Sequence, residues 1–599
     1  MSVRALAFIT LVACAATPPL LTTEDRAVVW RALQRDGDIA SASRSFEQWR
    51  EAGHVDGVVG AMVVAAIASD MVTLRSLTES LASEDLSDPE LLIRAALAAA
   101  QLRPIVPAVE LLVRRTCQHV DNPALDEALR IDAQEACSFA GVLEASPAVD
   151  TCSSGCDEAH TFSMLFAGNA PVVMANVAGS APAPFIVDTG ASANVVTREF
   201  AEQHGIQPVP GTLYQVGSPG GLLEVSRALV DIRVGGLAVQ RALAIIVDLP
   251  IEFVGGIISP QAAWRGLVTE FDFQSMELHV TASPRDFPVA HTLALHMTER
   301  TPYLRAAIAG RSALPFVLDT GATTTTIFSS WAALPGPTIE RSHETTVRGA
   351  GHGSARAWAI SQELAARTGE LEWRIASAVL AERGDGETSH GAVRYWGLLG
   401  MDLMMGRRVQ LDLPASTLRM SSAAALPAWP VGASATYRIQ SSDWEEPVVL
   451  VERVLERERG DGGNQVLIDV SYTGHAHGHL RYRMADTWQT RGAWLISRPA
   501  SEMWTVEDDG ALTPIPADAF ANHWLPVFTP FQTVAGETTI RFVAESGASE
   551  ASCTEISVPA QSAAGEGRLT LVECPTERWR TRQLTLLSGD QTVYEFRIE

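Results

Sequence analysis

The chain has 599 residues, 47% of them apolar, and a formal net charge of −25. That length exceeds what one hydrophobic core organises and predicts roughly three to five domains. The acidity excludes a nucleic-acid partner and adsorption to an anionic bilayer, since both need clustered Lys and Arg; its plain effect is solubility.

Residues 1–23 read as an export address and linker. Arg4 supplies a positive charge, Ala5 to Ala13 is an apolar run too short to span a bilayer, and Leu11-Val-Ala-Cys14 overlaps its end. The segment resembles a bacterial lipoprotein signal peptide, in which cleavage precedes the Cys and the Cys is lipidated. A plain secretory signal is the alternative. Either implies export; the first implies a lipoprotein anchored through Cys14 and facing the periplasm or the cell surface, touching the bacterial envelope membrane only through its lipid. Export makes the other six cysteines candidates for disulfides. Cys553 and Cys574 are expected to pair, and the connectivity of Cys117, Cys137, Cys152 and Cys156 stays open. A zinc site at Cys152-x3-Cys156 lacks a second ligand pair. No metal and no cofactor are expected.

From 24 to 147 apolar residues recur at spacings of three and four, as in Val28, Val29, Ala32, Leu33 and in Leu91, Leu92, Ala95, Ala96, Ala99. Breaks fall at Asp36-Gly37, Gly53, Ser87-Asp-Pro89 and Arg103-Pro104, which predicts a small array of helical hairpins resembling tetratricopeptide arrays only weakly. Such an array could bind a protein partner or serve as plain structure.

Near residue 160 the pattern changes to short strand-like runs, and an internal repeat begins. Ala159-His-Thr161 recurs as Ala290-His-Thr292, Pro171 as Pro302, Gly179 as Gly310, and Pro184-Phe185 as Pro315-Phe316. Asp188-Thr-Gly-Ala191 recurs as Asp319-Thr-Gly-Ala322 at the same offset, with no gap between. Two copies of one β-rich half-domain, 155–285 and 286–424, account for this. Beyond Pro427 the region 430–599 alternates strand-like runs with polar turns such as Gly460-Asp-Gly-Gly463 and predicts an all-β domain.

Each repeat places an apolar run before Asp-Thr-Gly-Ala and a hydroxyl residue after it: Phe185-Ile-Val-Asp188-Thr-Gly-Ala-Ser192 and Phe316-Val-Leu-Asp319-Thr-Gly-Ala-Thr323. One such tripeptide is usually a turn; two at matched positions resemble the retropepsin-like aspartic proteases. Leu398-Leu-Gly400 fits the family's second buried strand, and Gly255-Gly-Ile-Ile-Ser259 fits it with Ser259 in place of the usual Gly. Each lobe closes on a similar strand, Glu270-Phe-Asp272 and Gln410-Leu-Asp412. The resemblance touches neither flank.

What the resemblance implies is a bilobal all-β acid-protease core within a multidomain chain, between the helical array and the C-terminal β domain. It implies an aspartic endopeptidase, a hydrolase, with Asp188 and Asp319 as catalytic carboxylates and a peptide or protein substrate. Thr189 and Thr320 are expected to bond across the lobe junction, and Gly190 and Gly321 to let the two Asp loops turn tightly. Both half-sites lie in one chain, so a monomer suffices. Flap tips are expected at Gly217, Ser218, Gly220 and Gly221, and at Gly349, Gly351 and Gly353; ordinary hairpin turns are the alternative. A catalytically inactive, peptide-binding module of an envelope assembly is the competing function.

Overall fold

The computed structural model describes residues 22–516 except 85, 147, 168–169, 219–220, 249–253, 276, 299–300, 349–353, 361, 376–377, 383–392, 425–430, 442–444, 461–462, 475–477, 486–501 and 508, and beyond 516 the strand segments 532–533, 539–544, 551–562, 565–573, 581–588 and 591–598. The N-terminal signal, Cys14 and Cys574 lie outside the described residues.

Seven helices form the N-terminal array: α1 (Thr23–Asp36), α2 (Ile39–Glu51), α3 (Val55–Ile67), α4 (Met71–Ala82), α5 (Pro89–Ala99), α6 (Pro107–Thr116) and α7 (Glu127–Ala145). Their ends follow from local chemistry. Thr22 and Asp25 close a capping box on α1, and Gly37 ends it in the left-handed region at φ 59°. Asp38, Asp70, Asp88 and Asp126 accept backbone N–H groups at the starts of α2, α4, α5 and α7, and Pro89 and Pro107 stand in first turns. Among the described residues no helix is long and apolar enough to cross a membrane. Cys117 is bonded to Cys137 and Cys152 to Cys156, which settles the connectivity the sequence left open.

The two repeats fold as two lobes of matching topology. In the first, strand Ala183–Val187 runs parallel to Gly256–Ile258, which lies antiparallel to Asn194–Thr197. In the second, Leu314–Leu318 runs parallel to Gly397–Leu399, which lies antiparallel to Thr325–Phe328. A six-stranded antiparallel sheet joins the lobes. At its centre Val268–Asp272 pairs with Arg408–Asp412, Glu270 opposite Gln410, so the two closing strands are each other's neighbours. The repeated Ala-His-Thr segments lie in or beside its two edge strands, His160–Ser163 and His291–Ala294. Among the described residues the C-terminal region forms one twelve-stranded sheet in which, for example, Val448–Gly460 pairs with Gly463–Thr473. The expected order of a helical array, a β-rich core and a further all-β region is met.

The helical array does not fold apart from the lobes. Its core, which includes Leu33, Phe46, Leu74, Leu92, Leu112 and Phe139, takes in Leu243 of the first lobe and Tyr303 and Val393 of the second. The α1–α2 corner packs on the second lobe, where Trp396 Nε1 donates to the Arg35 carbonyl at 2.9 Å and Arg394 N donates to the Gln34 carbonyl. The other end of the array meets the first lobe. Asp150 accepts from Arg103 Nε and from Leu243 N, both at 2.8 Å, and Arg265 donates to the carbonyl and side-chain oxygen of Gln101.

Tyr303, with 0% exposure, tests this shared core. Tyr303→Ala is expected to lower stability by about 3–5 kcal/mol and to melt helices and lobes together. Its hydroxyl is buried with no hydrogen-bond partner among the described residues, so Tyr303→Phe should be neutral or stabilising. Denaturant midpoints followed by circular dichroism decide it; an Ala variant within about 1 kcal/mol of the parent would mean that the cores are independent.

Candidate active site

Each Asp loop hangs from the parallel strand pair of its lobe. Asp188 N donates to the Ile258 carbonyl at 3.0 Å, and Asp319 N to the Leu399 carbonyl at 2.9 Å. The next residue ties each loop to the other. Thr189 N donates to Thr320 Oγ1 and Thr320 N to Thr189 Oγ1, each at 3.0 Å. The same hydroxyls donate onward, Thr189 Oγ1 to the Leu318 carbonyl at 2.6 Å and Thr320 Oγ1 to the Val187 carbonyl at 2.7 Å. Both side chains are fully buried, and the four bonds satisfy the amide and hydroxyl of each threonine.

The glycines serve the convergence of the two acids by leaving them space. Neither Gly190 nor Gly321 sits at positive φ; what each needs is room. A Cβ on Gly190 would stand 2.4 Å from Asp319 Cγ, and one on Gly321 would stand 2.7 Å from Asp188 Cγ. Each glycine thus faces the carboxyl of the opposite lobe, and the absent side chains allow the two acids to meet.

Asp319 is 8% exposed and Asp188 half-buried, and burial is the largest cause of a raised pKa in both. For Asp319 the charge of Asp188 and a hydrogen bond with it add to the rise, which carries it well above the ordinary 3.8. For Asp188 the bond to Asp319 and backbone N–H groups oppose the rise. Gly190 N donates to Asp188 Oδ1 at 2.7 Å; Gly321 N and Ala322 N donate to Asp319 Oδ1 at 2.8 and 3.0 Å. The pair is built to hold one proton between two carboxyls.

Ser259 does not disturb the first lobe, because two differences between the lobes cancel. In the second lobe Met401 N donates to the Ala322 carbonyl at 3.0 Å, and a Cβ on Gly400 would lie within 2.7 Å of Ala322 and Thr324 backbone atoms. In the first, Pro260 has no N–H to give. Ser259 Oγ donates in its place to the Ala191 carbonyl at 2.7 Å, and Gln261 Nε2 donates to the same carbonyl at 2.7 Å and to the Thr189 carbonyl at 2.9 Å. Asn194 Oδ1 accepts from Ser259 N at 3.1 Å. Reading the sequence missed Gln261 and Asn194. It also missed Thr325, whose hydroxyl donates to the half-buried Asp402 carboxyl at 2.6 Å behind the second loop. The one available signal was the pairing of Ser with Pro where the other repeat has Gly with Met.

The hairpins expected as flaps are present in both lobes. Tyr214–Ser218 pairs with the start of Gly221–Val234, with Ser218 opposite Gly221 and Gly217 opposite Leu222; Arg341–Arg348 pairs with Ser354–Ile360. Gly220, Gly349, Gly351 and Gly353 lie outside the described residues. Away from the dyad, ligand atoms of Glu270, Asp272 and His279 approach within 4.8 Å of one another. Arg408 already binds both carboxylates and Gln410 Nε2 donates to Glu270 at 2.8 Å, so the group is an ion-pair network of the central sheet.

Burial pushes the Asp402 carboxyl up to about 6, against a smaller opposing effect of the Thr325 hydroxyl. A folded pKa above the unfolded one means that the native protein binds the extra proton between about pH 4 and 6. The stability supplied by Asp402 should therefore fall as pH rises through that window and level off above it. Asp402→Asn cannot ionise and can still accept from Thr325. It should flatten this slope and gain up to about 3 kcal/mol over the parent at pH 7, read from urea midpoints at pH 4.5 and 7. An equal loss at both pH values would sink the assignment.

The aspartyl protease family matches residues 173–259 and 304–403, one stretch around each Asp loop. No curated protein matches the chain. Among solved structures, a protein from Bacteroides fragilis NCTC 9343, described as exported and with a YmcC-like fold, aligns at 12% identity over 28% of this chain and 96% of its own, with a TM-score of 0.13. That score carries no inference about shared architecture. The comparisons thus place a likeness to aspartyl proteases on the two lobes, split between the same two stretches that the internal repeat delimits.

Proposed function

We propose that the chain is an aspartic endopeptidase that cleaves peptide bonds outside the cytoplasm, with Asp188 and Asp319 as its catalytic pair. The observation that carries the reading is the approach of these two acids across loops tied by the reciprocal Thr189–Thr320 bonds. Two carboxyls so close cannot both ionise cheaply, and one proton between them gives each a role. The ionised member draws a proton from a water held between the carboxyls and the peptide, making it the nucleophile. The protonated member donates to the carbonyl oxygen as negative charge develops there. The peptide lies extended between the lobes beneath the two hairpins, with Gly217, Ser218 and Gly221 beside the tip of the first; Gly220, Gly349, Gly351 and Gly353 are the further flap residues of this reading. Since one chain supplies both acids, a monomer is active. Two disulfides support an oxidising compartment, and Cys14 is the proposed site of lipid anchoring.

Incubation of the full chain with a peptide library tests the reading. Asp188→Asn and Asp319→Asn should each lower kcat by on the order of 10^4-fold or more, and the double variant should be no worse, because the pair acts as a unit. Binding of peptides without cleavage by the parent chain would favour the inactive binding module instead.

The raised pKa of both acids predicts a pH optimum that is weakly acidic to near neutral. The active, singly protonated form exists between the two apparent pKa values of the pair, and raising both moves the window upward. Backbone N–H groups of Ala191 and Ala322 reach the carboxyls, but their side chains have no hydroxyl to donate. Replacing both with Ser adds donors to the charged form, so the acid limb of kcat/KM should move to lower pH. An unmoved limb, or a parent optimum near pH 3, contradicts the argument.

A further inference from the structure

The two hairpins that follow the Asp loops are anchored by different physics. In the first, Arg227 lies two residues beyond Val225, the cross-strand partner of Tyr214, and its side chain is 0% exposed. Its Nε donates to Ser138 Oγ at 2.8 Å and its Nη2 to the Glu135 carbonyl at 3.3 Å, with Glu135 Oε1 at 3.5 Å. Both partners belong to α7. The guanidinium lies 4.4 Å from the Tyr214 ring centre. The backbone closes the same joint. Arg227 N donates to Thr212 Oγ1 at 3.1 Å, and Gly141 of α7 sits so near that an added Cβ would be 3.1 Å from Thr212 Cγ2. The Cys117–Cys137 bond fastens α7 one residue from Ser138.

Among the described residues the second hairpin shows no buried guanidinium held by a helix of the array. Thr345 stands where the repeat puts Tyr214, and it pairs with Ala357. The described charged groups of this hairpin are at the surface: Arg356 binds Glu344 at 2.7 Å with both side chains 55% exposed, and Arg341 and Arg356 lie over Trp358 at 4.6 and 4.9 Å. An exposed ion pair adds little to stability because solvent screens it, whereas a buried guanidinium stripped of its acceptors is left uncompensated at a large cost. Both hairpins are also held by pairing to a neighbouring strand, so the joint to α7 is an anchor that the first has in addition.

We propose that Arg227 is a positioning residue that fixes the first hairpin against α7 as a rigid wall of the peptide channel, so that it is the more firmly anchored of the two, the described strands Arg341–Arg348 and Ser354–Ile360 of the second being the less. The proposal rests on the peptidase reading for its consequence but not for its physics. It makes the helical array a working part of peptide binding, acting through the first lobe.

Amide hydrogen exchange on the full chain tests it. In the parent, the amides of Tyr214–Ser218 and Ser226–Val230 should exchange at least about tenfold more slowly than those of Arg341–Arg348 and Ser354–Ile360. Glu135→Ala combined with Ser138→Ala removes both side-chain acceptors of α7 and leaves only the Glu135 carbonyl; Ser138→Ala alone is the milder variant should the double one fold poorly. Either should speed exchange in the first hairpin only and raise KM, about tenfold for the double variant, with kcat within about twofold. Arg227→Met should behave like the double variant, and Arg227→Lys should recover part of the loss. Equal exchange in the two hairpins of the parent, or variants that loosen both and lower kcat, would overturn the proposal. Asymmetric exchange in a chain that cleaves no peptide would uphold the anchoring and sink the peptidase reading.

Discussion

Two buried carboxyls held against each other at the junction of two lobes are the constraint from which most of this structure follows. Like-charged groups repel and lose solvation, so they converge only where the surrounding bonds hold the loops in place regardless. The Thr189 and Thr320 hydroxyls supply that hold, each accepting from the facing lobe's amide and donating to a carbonyl one residue before the facing Asp. Gly190 and Gly321 supply the space. The central sheet, with Val268–Asp272 beside Arg408–Asp412, sets the lobes at the separation these bonds require. Low dielectric and close approach then make a shared proton the cheapest state of the pair, and that state is the one acid–base chemistry on a peptide carbonyl needs.

Duplication supplies the symmetry, but the lobes have diverged wherever packing allowed a substitute. The amide lost at Pro260 is replaced by the Ser259 hydroxyl and the Gln261 amide, all directed at the carbonyl of Ala191. Behind the second loop the same place holds Thr325 and an Asp402 whose charge is penalised by burial. The first lobe therefore rests on neutral amides and the second on a titrating acid. Such a difference makes the support behind the second loop depend on pH while the support behind the first does not.

A second asymmetry comes from outside the repeat. The helical array shares its hydrophobic core with Leu243, Tyr303 and Val393 and reaches both lobes by hydrogen bonds. A bridge of this kind limits how far the lobes can rotate about the dyad, and it does so without occupying the loops. The buried Arg227 belongs to the same interface: its charge is tolerable only because α7 brings Ser138 and Glu135 to it.

The repeated Asp-Thr-Gly, the helix-ending Gly and Pro residues and the turn at 460–463 could be read directly, because the chemistry of each is local: a cap, a turn, or a motif copied at a fixed offset. By itself the sequence determined that there are two matched half-sites in one chain, a helical region before them and a β region after them. It could not determine which cysteines pair, that Glu270 would face Gln410, that Gln261 would hold the first loop, or that Arg227 would be buried against a helix some ninety residues earlier. Those outcomes depend on which distant segments come within bonding range, and that range is fixed only when the lobes and the array have packed. An Arg on a strand next to Ser has the same local pattern whether it meets solvent or a serine of another domain. Only the tertiary structure decided that it meets Ser138, because burying a guanidinium is affordable where acceptors already stand and nowhere else.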